Sequence, residues 1–251
     1  MIHSLSPGGM ERVMTELANH FSAREDVTVY LVMFGRSPEL FYQINENIIV
    51  RKPERVFNDR FRNIESLKRL LFVRNEIKRI DPDSILSFGT HWNNFVLLAL
   101  TGLDYPVFVS DRGSPVRKYS LRQRLMRKIL YRRASGIIAQ TETARKITLE
   151  LIPGSNVKVI GNPIRIIDNR LPLHYREKII LSVGRLIDSK HHDRLIDIFS
   201  KLDAPGWQLV IVGGDALKQK NSGKLREQII RLNLTGRVIL EGEQADVDKY
   251  Y

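Results

Sequence analysis

At 251 residues and 43% hydrophobic content, the chain can form one large or two ordinary globular domains and is not a disordered polymer. The absence of cysteine excludes disulfides, thiolate metal sites and cysteine nucleophiles, and no run approaches the roughly 18 apolar residues of a membrane-spanning helix. The formal charge of +12 is uneven: residues 1–163 carry 25 Lys and Arg against 16 Asp and Glu, whereas 164–251 carry 15 against 12. An excess in one half calls for an anionic partner there.

The chain opens on Met1-Ile-His-Ser-Leu-Ser-Pro7, without the basic and apolar blocks of a signal peptide, so a cytoplasmic location is expected. After Pro7-Gly8-Gly9, apolar residues at Met10, Val13, Met14, Leu17, Ala18 and Phe21 have the spacing of an amphipathic helix. A buried strand is predicted over 27–34. A second helix is marked by Ile64, Leu67, Leu70, Leu71, Ile77 and Ile80; it stops at Asp81-Pro82 and gives way to a strand over 84–88. The rhythm continues with a helix over 92–101, a strand over 107–109, a basic helix near 120–133, and strands over 136–140 and 157–160. Gly161-Asn162-Pro163 and a polar connector to about Arg176 follow. The alternation then restarts: strand 178–183, helix 191–202, strand 208–212, Gly213-Gly214, helix 222–233, strand 237–240. This pattern predicts an α/β chain of two parallel-sheet domains, 1–163 and 164–251. Only Met1–His3 stands where the first domain should open on a strand, and the second sheet stops after three strands, so a chain truncated at both ends is expected, with apolar faces and a sheet edge left open.

Three features carry chemistry. In Leu181-Ser-Val-Gly-Arg-Leu-Ile-Asp-Ser-Lys190, a strand runs into a glycine turn that sets Arg185 and Lys190 five residues apart at the sheet edge where α/β proteins bind ligands. A planar guanidinium and a mobile ammonium together suit a diphosphate; two ordinary surface cations are the plainer reading. The Gly8-Gly9 pair at a helix start offers backbone N–H groups to an anion, or is an ordinary tight turn. Between Asp111 and Glu142 nine basic residues occur with no acid: Arg112, Arg117, Lys118, Arg122, Arg124, Arg127, Lys128, Arg132 and Arg133. Within that stretch Leu121, Leu125, Met126, Ile129 and Leu130 share a face, with Arg122, Arg124, Arg127 and Lys128 around the remainder. Such a helix can lie on an anionic membrane surface or pack on its own sheet.

The order of these segments resembles the family-four retaining glycosyltransferases, which use nucleotide sugars and have the GT-B architecture of two Rossmann-like domains. The matching stretches are Ser4-Leu-Ser-Pro-Gly-Gly-Met-Glu-Arg-Val13, Asp81-Pro-Asp-Ser-Ile-Leu-Ser-Phe88, Ser135-Gly-Ile-Ile-Ala-Gln-Thr-Glu142, Val159-Ile-Gly-Asn-Pro-Ile164, Leu181 to Lys190 and Leu209-Val-Ile-Val-Gly-Gly-Asp215. Thr90-His91, Ser110-Asp111-Arg112 and the basic helix are most similar to bacterial enzymes that add sugars to lipid-linked surface glycans. The resemblance implies that Arg185 and Lys190 hold the donor diphosphate, that Gly8, Gly9, Gly184, Gly213 and Gly214 line the donor site by backbone, and that His91 lies near the transferred sugar. Asp111 and Arg112 would shape the acceptor side, or simply pair with each other. The implied reaction retains configuration, with the acceptor hydroxyl attacking on the face the diphosphate leaves.

The family also carries a glutamate followed, after seven residues, by another; this chain ends at Tyr251 before that region, and Glu241 and Glu243 do not fit the spacing. No His and carboxylate cluster with ligand spacing is recognised, so no metal or other cofactor is expected. The expected partners are a nucleotide sugar, a glycan or polyprenyl-linked acceptor and, through 112–133, the inner face of a membrane. Other readings stay open: a non-catalytic remnant that binds nucleotide or membrane, a sugar-nucleotide epimerase and, least favoured for want of any recognised motif, a nucleic-acid-binding protein.

Overall fold

The computed structural model describes residues 1–36, 40–117, 119–164, 176–216, 219–244 and 246–251. Lys118 and nearly all of the polar connector lie outside them. The chain divides into two compact units, Met1–Ile164 and Arg165–Tyr251.

The first unit is built on strands β1 (Tyr30–Val32), β2 (Ile49–Arg51), β3 (Ile85–Phe88), β4 (Val107–Ser110), β5 (Gly136–Ala139) and β6 (Val157–Val159). β1 pairs with β2, and β3 through β6 pair in sequence order, all parallel. Residues Met1–His3 fill the gap between these two sets. The Ile2 N–H donates to the Val32 carbonyl at 3.1 Å, and the Phe88 N–H donates to the Met1 carbonyl at 3.3 Å. The opening tripeptide therefore takes the place of the expected first strand, between β1 and β3. The strand expected over 27–34 starts late because the Val27 N–H is still bonded to the Arg24 carbonyl in the turn after α1 (Gly9–Ser22).

The helices α2 (Arg62–Ile80), α3 (Thr90–Ala99), α4 (Leu121–Leu130) and α5 (Glu142–Leu151) complete the crossovers. α2 ends on Asp81 in the left-handed region, whose N–H reaches the Ile77 carbonyl, just ahead of Pro82. A capping box between Ser120 and Gln123 starts α4. One apolar core, including Val73, Val96, Val107, Val109, Ile137 and Ala139, lies under α2 to α5; a second, including Ile2, Leu5, Val13, Met14 and Met33, lies under α1.

Two helices present different faces from those expected. In α2 the inward stripe is Glu65, Arg69, Val73 and Ile77, at i, i+4 spacing, while Ile64, Leu67 and Leu71 are exposed. Only the second half of the helix reaches the core; its first turns lie beside the chain at Arg55, whose carbonyl accepts from the Arg69 guanidinium. In α4 the apolar set divides. Leu130 is buried and Met126 half-buried, but Leu121, Leu125 and Ile129 are 82%, 59% and 55% exposed. Arg127, expected on the solvated side, is buried instead because it has a buried partner, described below.

The second unit has the parallel sheet β7 (Ile179–Val183), β8 (Gln208–Val212) and β9 (Val238–Gly242), in that order. Helices α6 (His192–Ser200) and α7 (Ser222–Arg231) pack Ile196, Phe199, Leu225 and Ile229 against Leu209 and Ile211. β7 is an edge strand and only half-buried.

Candidate active site

The sequence places its chemical residues at the carboxyl ends of both parallel sheets, where strand ends and helix starts leave backbone donors and loops open. In the second unit, Gly184 follows β7, and its N–H donates to the Val212 carbonyl at 2.8 Å. Gly213 has φ +154°, and a Cβ there would overlap the Gly184 carbonyl oxygen. Glycine at 213 thus lets the two strand ends close on each other. The Leu186 N–H bonds the Gly214 carbonyl at 2.9 Å, and the Leu186 side chain is buried, so the loop is pinned at its midpoint. A short 3-10 turn, Asp188–Lys190, brings the chain round, and His191 turns it in the left-handed region into α6. Arg185 and Lys190 remain exposed at either end of this loop. The methylene stem of Lys190 lies over Gly184, where a Cβ would come within 3.3 Å of its Cε.

His192 holds this loop from beneath. Its ring is buried; Nε2 lies 3.3 Å from the Arg185 carbonyl oxygen and Nδ1 3.4 Å from the Ser182 hydroxyl. Because a carbonyl only accepts, Nε2 carries a proton toward Arg185, and Nδ1 lies within hydrogen-bonding reach of the Ser182 hydroxyl. His192 fixes the backbone from which Arg185 projects.

In the first unit, the Gly8 N–H is not free for an anion: it donates to the Tyr42 hydroxyl at 2.9 Å, and that hydroxyl donates back to the Gly8 carbonyl at 3.0 Å. A Cβ on Gly8 would overlap the Glu11 carboxylate, which folds back over the start of α1, whereas Gly9 faces open space. Close by, the His3 ring stacks on Trp92 with centroids 4.8 Å apart, and its Nε2 is 4.0 Å from Glu11. Burial, and then the neighbouring His91, press the His3 pKa from 6.5 down to about 4. His91 itself is exposed in the first turn of α3, edge-on to Trp92.

Asp111 and Arg112, adjacent in sequence, part company. Asp111 pairs with the buried Arg127 and accepts from the Tyr131 hydroxyl at 2.7 Å. The Asn93 amide donates to that hydroxyl and to the Ser110 carbonyl, both at 3.1 Å, and Arg127 also reaches Thr148 at 3.3 Å. Burial and the Asp111 charge raise the Tyr131 pKa well above its ordinary value, so the phenol stays a donor. Asp111 therefore locks α3, α4 and the end of β4 together. A recess of about 60 Å³ opens beside it, lined by Thr90, Tyr119, Gln140 and Thr141 among others. Arg112 turns the other way, over the Phe88 ring at 4.2 Å, and donates to Asn162.

Among the described residues no group of three or more His, Asp or Glu could hold a metal ion. The sequence does contain two Asp-x-Asp tripeptides. In Asp81-Pro-Asp83, Asp81 ends α2 and accepts from the Tyr105 hydroxyl at 2.8 Å, at the amino end of β3 and away from the sheet's ligand edge. Asp246-Val-Asp248 leads into the closing 3-10 turn Asp248–Tyr250.

The description Glycosyltransferase Family 4 matches residues 7–166, and Glycosyl transferases group 1 matches 164–251. The chain belongs to glycosyltransferase family 4. Among curated relatives, this glycosyltransferase is 24% identical over 245 residues to the GalNAc-alpha-(1->4)-GalNAc-alpha-(1->3)-diNAcBac-PP-undecaprenol alpha-1,4-N-acetyl-D-galactosaminyltransferase of Campylobacter jejuni, covering 95% of this chain and 67% of that one. It is 24% identical over 261 residues to the amylovoran biosynthesis glycosyltransferase AmsD of Erwinia amylovora, covering 97% and 68%. Among solved structures, HepE of Anabaena in complex with UDP and glucose superposes with a TM-score of 0.73 at 19% identity, covering 99% of this chain and 70% of the other. That likeness establishes the GT-B fold.

The loop residues of the glycosyltransferase are legible in its sequence, but the residues that hold them are not. His192 sits two residues past Lys190 in a run of polar residues with no pattern to mark it. Arg127 and Tyr131, four apart on α4 and its extension, had a signal: an Arg and a Tyr on the face that carries Leu130.

Proposed function

We propose that this glycosyltransferase is a retaining hexosyltransferase that moves a sugar from a nucleotide-diphosphate donor to a hydroxyl of a polyprenyl-linked glycan, with its first unit on an anionic membrane surface. The observation that carries the reading is the Arg185–Lys190 pair, two exposed cations on a loop immobilised by Leu186 and His192 at the ligand edge of a parallel sheet. When the bond from the sugar's anomeric carbon to the diphosphate breaks, negative charge gathers on the departing phosphate. A guanidinium fork and an ammonium fixed beforehand stabilise that charge without reorganising. Backbone at Gly184, Gly213 and Gly214 allows close approach of the nucleotide. No divalent metal takes part in this account.

The first unit supplies the acceptor side, with Arg112 toward the acceptor and Asp111 as the support beneath, and His91 and Gly9 are assigned to substrate contacts. Relatives that act on undecaprenyl-diphosphate glycans and in amylovoran synthesis support the acceptor class. On α4 the exposed stripe Leu121, Leu125 and Ile129, flanked by exposed Arg122, Arg124 and Lys128, suits the bilayer interface, where each cation contributes about 1 kcal/mol. Among the described residues no helix is long and apolar enough to cross a membrane.

The test is incubation of the chain with UDP-hexoses and an undecaprenyl-diphosphate-linked glycan, with products read by mass spectrometry and the new anomeric configuration by NMR. An added hexose with the donor's own configuration is the expected product. Inversion, or UDP released without need for an acceptor, would overturn the reading in favour of a different mechanism or an epimerase.

A further inference from the structure

Among the described residues Arg112 has no ion-pair partner. Its guanidinium lies over the face of Phe88 at 4.2 Å, donates through Nη1 to the neutral side-chain oxygen of Asn162, and has its Nε buried with no hydrogen-bond partner. The adjacent carboxylate, Asp111, is occupied by Arg127 and Tyr131. Gln140 donates to the same Asn162 oxygen at 2.8 Å, so the acceptor that steadies Arg112 is itself held in place. Burial lowers the Arg112 pKa to about 10, which leaves it charged at neutral pH. A cation drawn partly out of water toward only a neutral oxygen is unfavourable unless an anion completes its surroundings. The residue stands just past β4, level with the loops after β5 and β6, at the ligand edge of the sheet. A planar fork with one side fixed by an amide and the other open fits a tetrahedral oxyanion better than a point charge does.

We propose that Arg112, steadied by Phe88, Asn162 and Gln140, binds a phosphate oxyanion of the acceptor, the group that joins the lipid to its glycan. This makes the acceptor's phosphate, and not only its sugar, part of what the first unit recognises. The proposal rests on the reading of the first unit as the acceptor side. The same phosphate chemistry could come from a phospholipid headgroup or from the donor, and the experiment separates the three.

Binding of farnesyl diphosphate, of phosphatidylglycerol vesicles and of UDP is measured on the 251-residue chain, on Arg112→Gln and on Asn162→Asp. The second variant sets a carboxylate against the guanidinium, which neutralises the site from within and raises thermal stability, so it decides the question even if Arg112→Gln folds poorly. Both variants should lose at least tenfold in affinity for farnesyl diphosphate and keep the wild-type affinity for UDP and for vesicles. Unchanged farnesyl diphosphate binding in the variants, or none in the wild type, overturns the proposal. A loss confined to UDP assigns the oxyanion to the donor, and a loss confined to vesicles assigns it to a headgroup; either also overturns it. Wild-type UDP binding reports separately on the glycosyltransferase reading, which stands if only the farnesyl diphosphate arm fails.

Discussion

Asp111→Asn isolates the charge at the centre of the first unit. The substitution keeps the shape and an oxygen for the Tyr131 hydroxyl, but leaves the guanidinium of Arg127, itself only 8% exposed, without its carboxylate. Removing one partner of a buried ion pair destabilises by about 3–5 kcal/mol, several times the effect at an exposed pair. With a urea slope of about 2 kcal/mol per molar, the unfolding midpoint of the first unit should fall by about 2 M. Trp92 lies in that unit and Trp207 in the other, so fluorescence in a Trp207→Phe background reports on the right one. Adding Arg127→Met to Asp111→Asn should recover most of the loss, because the unpaired charge is then gone. A shift below about 1 kcal/mol, the size of a surface pair, would refute the claim that this pair organises the unit.

Gly213→Ala should destabilise the second unit by at least the 1–3 kcal/mol or so of left-side backbone strain and weaken UDP binding, read from Trp207 fluorescence and calorimetry. His3 is held neutral by burial, so its contribution is present above its ordinary pKa of 6.5 and is lost as pH falls toward about 4; His3→Gln should flatten the fall in urea midpoint over that window. Leu125→Glu with Ile129→Glu should cut binding to phosphatidylglycerol vesicles at least tenfold without altering the unfolding midpoint, since both side chains are exposed.

The alternation of strands and helices was legible because a parallel sheet buries near-continuous apolar runs, and 208–212 reads as one. β2 is three residues long, and its only mark in the sequence is the short β-branched run Ile48-Ile49-Val50, which was not read as a strand. α5 carries only scattered apolar positions, although Thr141 accepts the Ala144 N–H as an N-cap and could have marked its start. The outward faces of α2 and α4 escaped for a shared reason. Apolar periodicity identifies a helix, but buried polar residues with specific partners, Arg69 with the Arg55 carbonyl and Arg127 with Asp111, decide which side turns in. At the candidate site, the cations and glycines stand out in sequence because phosphate binding uses few residue types. The supports, Tyr42 beneath Gly8 and His192 beneath Arg185, are long-range or unpatterned contacts that appear only once the chain is folded.

In the proposed reaction Arg185 and Lys190 clamp the donor diphosphate. Titration of UDP into the wild-type chain, Arg185→Ala and Lys190→Ala by calorimetry tests it most directly, since both side chains are exposed and their loss leaves the fold intact. Affinity at least tenfold weaker, about 1.4 kcal/mol, is expected in each variant. Equal affinity in all three would contradict it.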